Sequence, residues 1–235
     1  MKDPAQVARC FALVPAAGSG SRAGQALPKQ YVELAGRPLL AHTLAALAAV
    51  PELALTLVVI APEDRHFEAL FPAQPHARCG GATRAESVRA GLDALRAQGA
   101  GDEDWVLVHD AARCLLRASW VRTLIETCRE DAVGGLLALP MADTLKLAPL
   151  VDQRSLGTLP RHGVWAAQTP QMFRLGLLQR ALDAARQAGQ EVTDEAGAVE
   201  KLHLNPRLVR CALENFKVTL PEDFALAEAL LRNRS

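Results

Sequence analysis

A run of small residues, Pro15-Ala16-Ala17-Gly18-Ser19-Gly20-Ser21-Arg22-Ala23-Gly24, follows a short apolar stretch and leads to Pro28-Lys29-Gln30. Small side chains let a backbone approach a ligand closely, and successive N–H groups in such a turn bind phosphate oxygens. Arg22 adds a fixed planar cation and Lys29 a mobile one, which are the charges wanted where a triphosphate gains negative charge in a transition state. Two commoner phosphate loops do not fit. No G-x-x-x-x-G-K-[ST] is present, and Gly18, Gly20 and Gly24 are spaced one residue too widely for G-x-G-x-x-G, with Arg22 where that motif opens its helix. The wrong glycine spacing disfavours a nicotinamide-dependent oxidoreductase.

Three further groups carry polar chemistry. Gly80-Gly81-Ala82-Thr83-Arg84-Ala85-Glu86-Ser87-Val88 places two glycines before a capped helix, which suits the close approach of a base or ribose. Ser87, one turn into that helix, either bonds the base or satisfies itself on the backbone. Val108-His109-Asp110-Ala111-Ala112-Arg113 ends a buried strand, the place where open α/β sheets bind ligands. Asp110 can hold Mg²⁺ or cap a helix, Arg113 can face an acceptor phosphate, and His109 reads as a structural histidine. The last group is dispersed: Asp143-Thr144-Leu145-Lys146, Arg161, Gln168-Thr169-Pro170-Gln171, Thr193-Asp194-Glu195-Ala196 and Asn215-Phe216-Lys217-Val218-Thr219. Each has an ordinary reading when taken alone, Thr193 as a helix cap and Lys217 as a solvated lysine among them.

The elements that must position these residues alternate. Phe11–Val14, Leu55–Ala61, Trp105–His109 and Gly135–Leu139 read as buried strands, and Val164–Ala167, Leu208–Cys211 and Phe216–Val218 as later ones. Helices are expected at Leu39–Val50, Glu63–Leu70, Thr83 to about Gln98 with a Thr83/Glu86 capping box, Ser119–Arg129, Leu175–Gln187 and Asp194 to about Leu202, with a closing helix at Pro221. This order predicts one doubly wound, largely parallel α/β domain over residues 1–235. From about 141 to 161 neither period holds, which marks a functional segment or an interface arm. The chain has 26 Lys plus Arg and 26 Asp plus Glu, so it has no basic footprint for nucleic acid. Five scattered cysteines without a C-x-x-C pair argue against a disulfide framework or a zinc site and suit a reducing compartment. No signal core or membrane-spanning run stands out, so a cytoplasmic location is expected.

Taken in order, PAAGSGSR, PKQY, GGATRAESV, VLVHDAAR, DTLK, TPQMF, TDEA and NFKVTLPEDFALAE resemble the motifs of the 2-C-methyl-D-erythritol 4-phosphate cytidylyltransferase family over about Phe11 to Leu231. The resemblance implies a Rossmann-like nucleotidyltransferase core, an extended arm exchanged between the subunits of a homodimer, and a step in non-mevalonate isoprenoid precursor synthesis. It implies that Arg22 and Lys29 stabilise the transition state and that Arg161 and Lys217 position the acceptor. Pro15, Ala16, Ala17, Gly18 and Gly20 would line the triphosphate loop, and Gly81 and Ser87 would hold cytosine and ribose. Asp110 would sit near Mg²⁺ and both substrates, with Arg113, Thr144, Thr169 and Thr193 toward the acceptor. With an exchanged arm, Thr144 and Arg161 would serve the partner's site. The chain departs from the family pattern at Cys114, where proline is usual, at Ala82, where an acidic residue is common, and at Ala23, where methionine is usual.

The implied reaction is an in-line attack by an acceptor phosphate oxygen on the α-phosphorus of CTP, with pyrophosphate leaving. A phosphomonoester with a second pKa of about 6 is already anionic near neutrality, so no general base is required. Two other readings share these residues: a cytidylyltransferase for ribitol 5-phosphate, and a catalytically idle nucleotide-binding scaffold.

Overall fold

A computed structural model of the chain describes residues 8–18 and 27–234. The sheet core is built from β1 (Cys10–Pro15), β4 (Leu53–Val59), β5 (His76–Ala77), β6 (Trp105–Val108), β7 (Gly134–Pro140), β10 (Trp165–Arg174) and β11 (Arg207–Arg210). Their spatial order is β11-β7-β10-β6-β1-β4-β5. All neighbours run parallel except β10, which is antiparallel to both β6 and β7. A two-stranded ribbon, β2 (Glu33–Leu34) with β3 (Arg37–Pro38), lies beside this sheet.

Side-chain alternation sorts β1 into two layers. Ala12 and Val14 join the apolar cluster of α1 (Leu39–Ala48) and α4 (Ala118–Cys128), whereas Phe11 and Leu13 join that of α3 (Arg84–Ala97) and α5 (Leu175–Gln187). Helices on both faces explain why the central strands read as unbroken apolar runs. The α3 helix lies close on the sheet at Gly91, where a Cβ would stand 2.7 Å from Val59 Cγ2 and 2.8 Å from Leu13 Cδ1. A third, smaller cluster joins Leu34, Leu39, Cys114, Leu115 and Val218 to α7 (Pro221–Arg232). Buried there, the Cys114 thiol is pushed up to about 12 by desolvation and serves as a small apolar group.

Several expectations are corrected. The Glu63–Leu70 helix shrinks to α2 (Phe67–Leu70), because Asp64 turns its carboxylate onto the N–H groups of His66 and Phe67. The Val164–Ala167 strand continues to Arg174. Pro170 has no N–H for the ladder, and a register shift against β7 between Ala167 and Gln171 accommodates it. Phe216–Val218 is not a strand. A single 3₁₀ turn, Leu213–Asn215, precedes it, and the Val218 N–H bonds to the Ala112 carbonyl. The helix expected from Asp194 to about Leu202 is α6 (Glu195–Glu200), capped by Asp194 onto Gly197 N. The aperiodic stretch 141–161 holds a hairpin, β8 (Leu145–Leu147) with β9 (Gly157–Leu159). Its strands are too short to leave a legible period.

Candidate active site

The chain turns from one side of β1 to the other between β4 and β6, and ligand crevices form at such reversals outside the carboxyl ends of the strands. A cleft of about 570 Å³ lies there. Its floor is Pro15 to Gly18 after β1, and one wall is Gly81 to Arg84 with Ser87. The opposite wall comprises Asp110 to Ala112, Lys217 and Thr219, and Lys29 and Gln30 close one end.

Local chemistry fixes each wall. Gln30 is buried, and its Nε2 donates to the Ala16 carbonyl at 2.8 Å, tying the Pro-Lys-Gln segment to the floor. Gly80 brings the second loop against that floor: a Cβ here would stand 2.2 Å from Ala17 Cβ and 2.9 Å from the Ile60 carbonyl oxygen. A Cβ on Gly18, by contrast, would meet nothing within 4 Å among the described residues. Thr83 and Glu86 form the reciprocal cap expected of α3, a motif in which the threonine contributes about 1 kcal/mol. The Ser87 hydroxyl donates to Thr83 O and accepts from Gly81 N, both at 3.0 Å. It therefore orders the loop and keeps one lone pair for a ligand.

Asp110 is the charge centre. Its Oδ1 accepts from Arg84 Nε at 2.8 Å, its Oδ2 lies 2.9 Å from Lys217 Nζ, and Arg113 Nε stands 3.8 Å away. Burial alone would raise this carboxyl, but the Arg84 and Lys217 charges outweigh it and hold it well below the usual range. Its backbone is fixed from behind. Asp110 N–H donates to Thr169 Oγ1 at 3.0 Å, Thr169 Oγ1 meets His109 Nδ1 at 3.0 Å, and His109 Nε2 lies 3.3 Å from the Arg113 carbonyl. These contacts are satisfied together when Nε2 carries the imidazole proton. Burial pushes His109 down to about 4, so the ring is neutral near pH 7.

Not every candidate residue reaches the cleft. Pro15, Ala16, Ala17, Gly18, Lys29, Gly81, Ser87, Asp110 and Lys217 line it. Arg22 and Gly20 fall outside the described residues. Thr169 is buried behind Asp110, with its hydroxyl engaged by the backbone and His109. Arg113 turns away from the cleft and donates to the Asn215 carbonyl at 2.7 Å, so it braces the loop. Thr193 is exposed beside the Asp194 cap, and Thr144 and Arg161 are exposed on the arm; none of the three lines the cleft.

Sequence reasoning passes over Arg84 and Glu195 as individual residues. Arg84 forks onto Glu195, with Nη1–Oε1 2.6 Å and Nη2–Oε2 3.0 Å. Glu195 is 1% exposed. Burial pushes its carboxyl up, yet two guanidinium N–H groups on its two oxygens are the geometry of a carboxylate. Desolvation would lower Arg84, but Glu195 and Asp110 together hold it firmly cationic. One signal for Arg84 was available: a cation in the first turn of a helix opposes the helix dipole and so needs a compensating partner.

Among the described residues no cluster of three or more His, Cys, Asp or Glu can hold a metal, and Asp110 is the sole carboxylate lining the cleft. That donor set fits Mg²⁺ bound through one carboxylate with substrate phosphates and water, and does not fit an all-protein cage. No helix among the described residues is long and apolar enough to cross a membrane.

Comparison with known proteins gives a consistent result. Residues 10–233 match the family model described as IspD, 2-C-methyl-D-erythritol 4-phosphate cytidylyltransferase. The chain is 56% identical over 230 residues to the bifunctional enzyme IspD/IspF of Albidiferax ferrireducens, covering 97% of this chain and 54% of that protein's length. It is 55% identical over 226 residues to the 2-C-methyl-D-erythritol 4-phosphate cytidylyltransferase of Burkholderia multivorans, covering 95% of this chain and 96% of that one. A crystal structure of a 4-diphosphocytidyl-2C-methyl-D-erythritol synthase superimposes with a TM-score of 0.83 at 42% identity, covering 95% of this chain and 99% of that one. With its Pro15–Gly18 floor, Lys29 and the Asp110–Lys217 pair gathered at the switch point of the sheet, the chain belongs to the IspD family of 2-C-methyl-D-erythritol 4-phosphate cytidylyltransferases.

Proposed function

We propose that this protein transfers the cytidylyl group of CTP to 2-C-methyl-D-erythritol 4-phosphate, releasing pyrophosphate. The observation that carries the reading is the convergence of Lys29, Lys217 and Asp110 on a backbone-floored cleft in a chain of this family. Ribitol 5-phosphate as acceptor has no such support from the relatives.

The acceptor phosphate is anionic near neutrality, so the protein has no proton to remove from it. Its task is to bring two polyanions together and balance the charge that grows on the leaving pyrophosphate. The N–H groups of the floor loop bind phosphate oxygens, and Lys29 supplies a cation beside them. Lys217, held by Asp110, faces the incoming phosphate. Asp110 is the residue to hold Mg²⁺, which when bound neutralises phosphate charge.

The reading includes a homodimer. Leu150, Val151 and Leu156 on the arm are 97%, 96% and 73% exposed, an apolar display suited to a second subunit. Arm exchange would carry Thr144 and Arg161 to the partner's cleft. Five free cysteines, four of them buried, suit work in a reducing cytoplasm.

Pyrophosphate release is measured with CTP, Mg²⁺ and 2-C-methyl-D-erythritol 4-phosphate, beside a parallel reaction with ribitol 5-phosphate and one without metal. Release with the first acceptor, abolished by chelation, is expected. Release with ribitol 5-phosphate alone would overturn the substrate, and undiminished release after chelation would remove the metal.

A further inference from the structure

The Arg84–Glu195 pair joins parts of the fold that are far apart in sequence. Arg84 opens α3, directly after the loop assigned to the nucleotide, and Glu195 opens α6 on the far side of Asp110. The Arg84 side chain is 25% exposed and that of Glu195 is 1% exposed. Three of the five guanidinium N–H groups are spent on carboxylates: two on Glu195 and Nε on Asp110. Because Asp110 Oδ1 is taken by Arg84, Oδ2 is turned toward Lys217. Glu195 is seated in its turn. Gln171 Oε1 accepts from Ala196 N at 2.7 Å, while Gln171 Nε2 donates to Asp194 Oδ2 at 2.9 Å. Gln171 belongs to β10, the strand that also carries Thr169. A buried ion pair is weak grounds for stability, since an apolar pair of similar size serves as well.

We propose that Arg84 and Glu195 are positioning residues that brace the nucleotide side of the cleft against the acceptor side, fixing Asp110 and through it the aim of Lys217. The assignment rests on the cytidylyl-transfer reading. Arg84 is a strut here, because most of its donors face carboxylates and its charge is matched by Glu195. Without Glu195 the guanidinium can swing both Nη groups onto Asp110 and displace Lys217 from it. Without Arg84, one cation fewer orients Asp110 and Glu195 is left buried without its partner.

The test replaces the pair by apolar side chains of similar size, Arg84→Met with Glu195→Leu, alongside Arg84→Lys. Thermal midpoint, kcat, acceptor KM and the dissociation constant for CTP alone are measured for each. The double variant is expected to stay folded and to lose about 10- to 100-fold in kcat over acceptor KM, the usual scale for losing a group that orients a ligand-binding residue. CTP dissociation is expected to stay within about threefold, since three of the five Arg84 N–H groups are already committed to carboxylates. Arg84→Lys keeps the charge but cannot fork onto two carboxylates, so it should show an intermediate loss with the same split. That variant decides the matter should the double variant not fold. Wild-type kinetics in a folded variant, or a loss of CTP binding that matches the loss of turnover, would overturn the assignment. A wild-type protein silent with both substrates would instead refute the underlying reaction.

Discussion

The cleft and the arm are built on opposite terms. Around the cleft several groups are held by others: Arg84 by Glu195, Thr169 by His109, the floor by Gln30. The hairpin of β8 and β9 has Leu147, Leu150, Val151, Leu156 and Leu159 exposed. Its Lys146 Nζ donates to Thr158 Oγ1 across the two strands at 2.6 Å. The described contacts of the cleft are thus made within one chain, whereas the arm presents apolar surface that the described residues do not cover. The arm also carries Thr144 and Arg161, two of the acceptor-side candidates that do not line the cleft. Rigid, satisfied polar groups suit a site that must be ready before substrate arrives. An uncovered apolar edge suits a surface completed by assembly.

The sharpest way to break this contrast is at the cleft itself. Lys29→Ala should lower kcat by roughly 10²- to 10³-fold, the scale for losing one preorganised electrostatic contact. Lys29 Nζ also donates to the Val218 carbonyl at 2.8 Å, so a thermal midpoint is needed beside the rate. Unchanged turnover would remove Lys29 from the mechanism.

The arm makes a weaker but independent prediction. Leu150→Asp with Val151→Asp should leave the monomer folded, because both side chains are almost fully exposed. Dissociation of the proposed dimer should rise by about 30-fold or more, corresponding to roughly 2 kcal/mol at an apolar hot spot. Sedimentation velocity over a dilution series measures it. A mass that does not respond to the change would make the arm irrelevant to assembly.

Packing of the two loops offers a smaller effect. Gly80→Ala must separate a new methyl from Ala17 and the Ile60 carbonyl, at a cost of about 1–3 kcal/mol for overpacking. The expected signature is weaker CTP binding by titration together with a lower thermal midpoint. A fully stable variant with normal CTP affinity would show that the loops tolerate separation.

The smallest effect is the pH response of the relay behind Asp110. His109 falls from an ordinary 6.5 to about 4 in the fold. Between those values the unfolded chain binds the proton and the folded chain does not, so stability should fall as pH drops from about 6.5 toward 4. Below that window this contribution stops growing. Urea midpoints at pH 7.5 and 5, compared with those of His109→Asn, isolate it. Equal pH dependence in both proteins would mean that His109 does not report on the fold.

Much of the cleft was legible because its signals are local. The strand-to-turn change at Pro15, the Thr83/Glu86 cap and the strand ending at Asp110 each depend on neighbours within a few residues, and each stands where local patterning puts it. Less legible were contacts made across the sheet. Thr169 and Arg113 offer ligand-binding chemistry in sequence, but the fold spends them on Asp110 N and the Asn215 carbonyl. Glu195 lies 111 positions from the arginine it holds, and no periodicity encodes such a pairing. The extended reach of β10 was hidden by Pro170, whose missing N–H is harmless only because the register shifts there.

The sequence by itself determined the main alternation of strands and helices, the small-residue stretch that follows β1 and the set of charged residues available for catalysis. These follow from side-chain period, backbone freedom and charge, all of which are properties of short stretches. Tertiary structure alone decided which charges face the cleft, which are neutralised behind it and where apolar surface stays uncovered among the described residues. That decision lies with strand order and helix packing, because they bring residues 84, 110, 195 and 217 within hydrogen-bonding reach and carry 144 and 161 out along the arm.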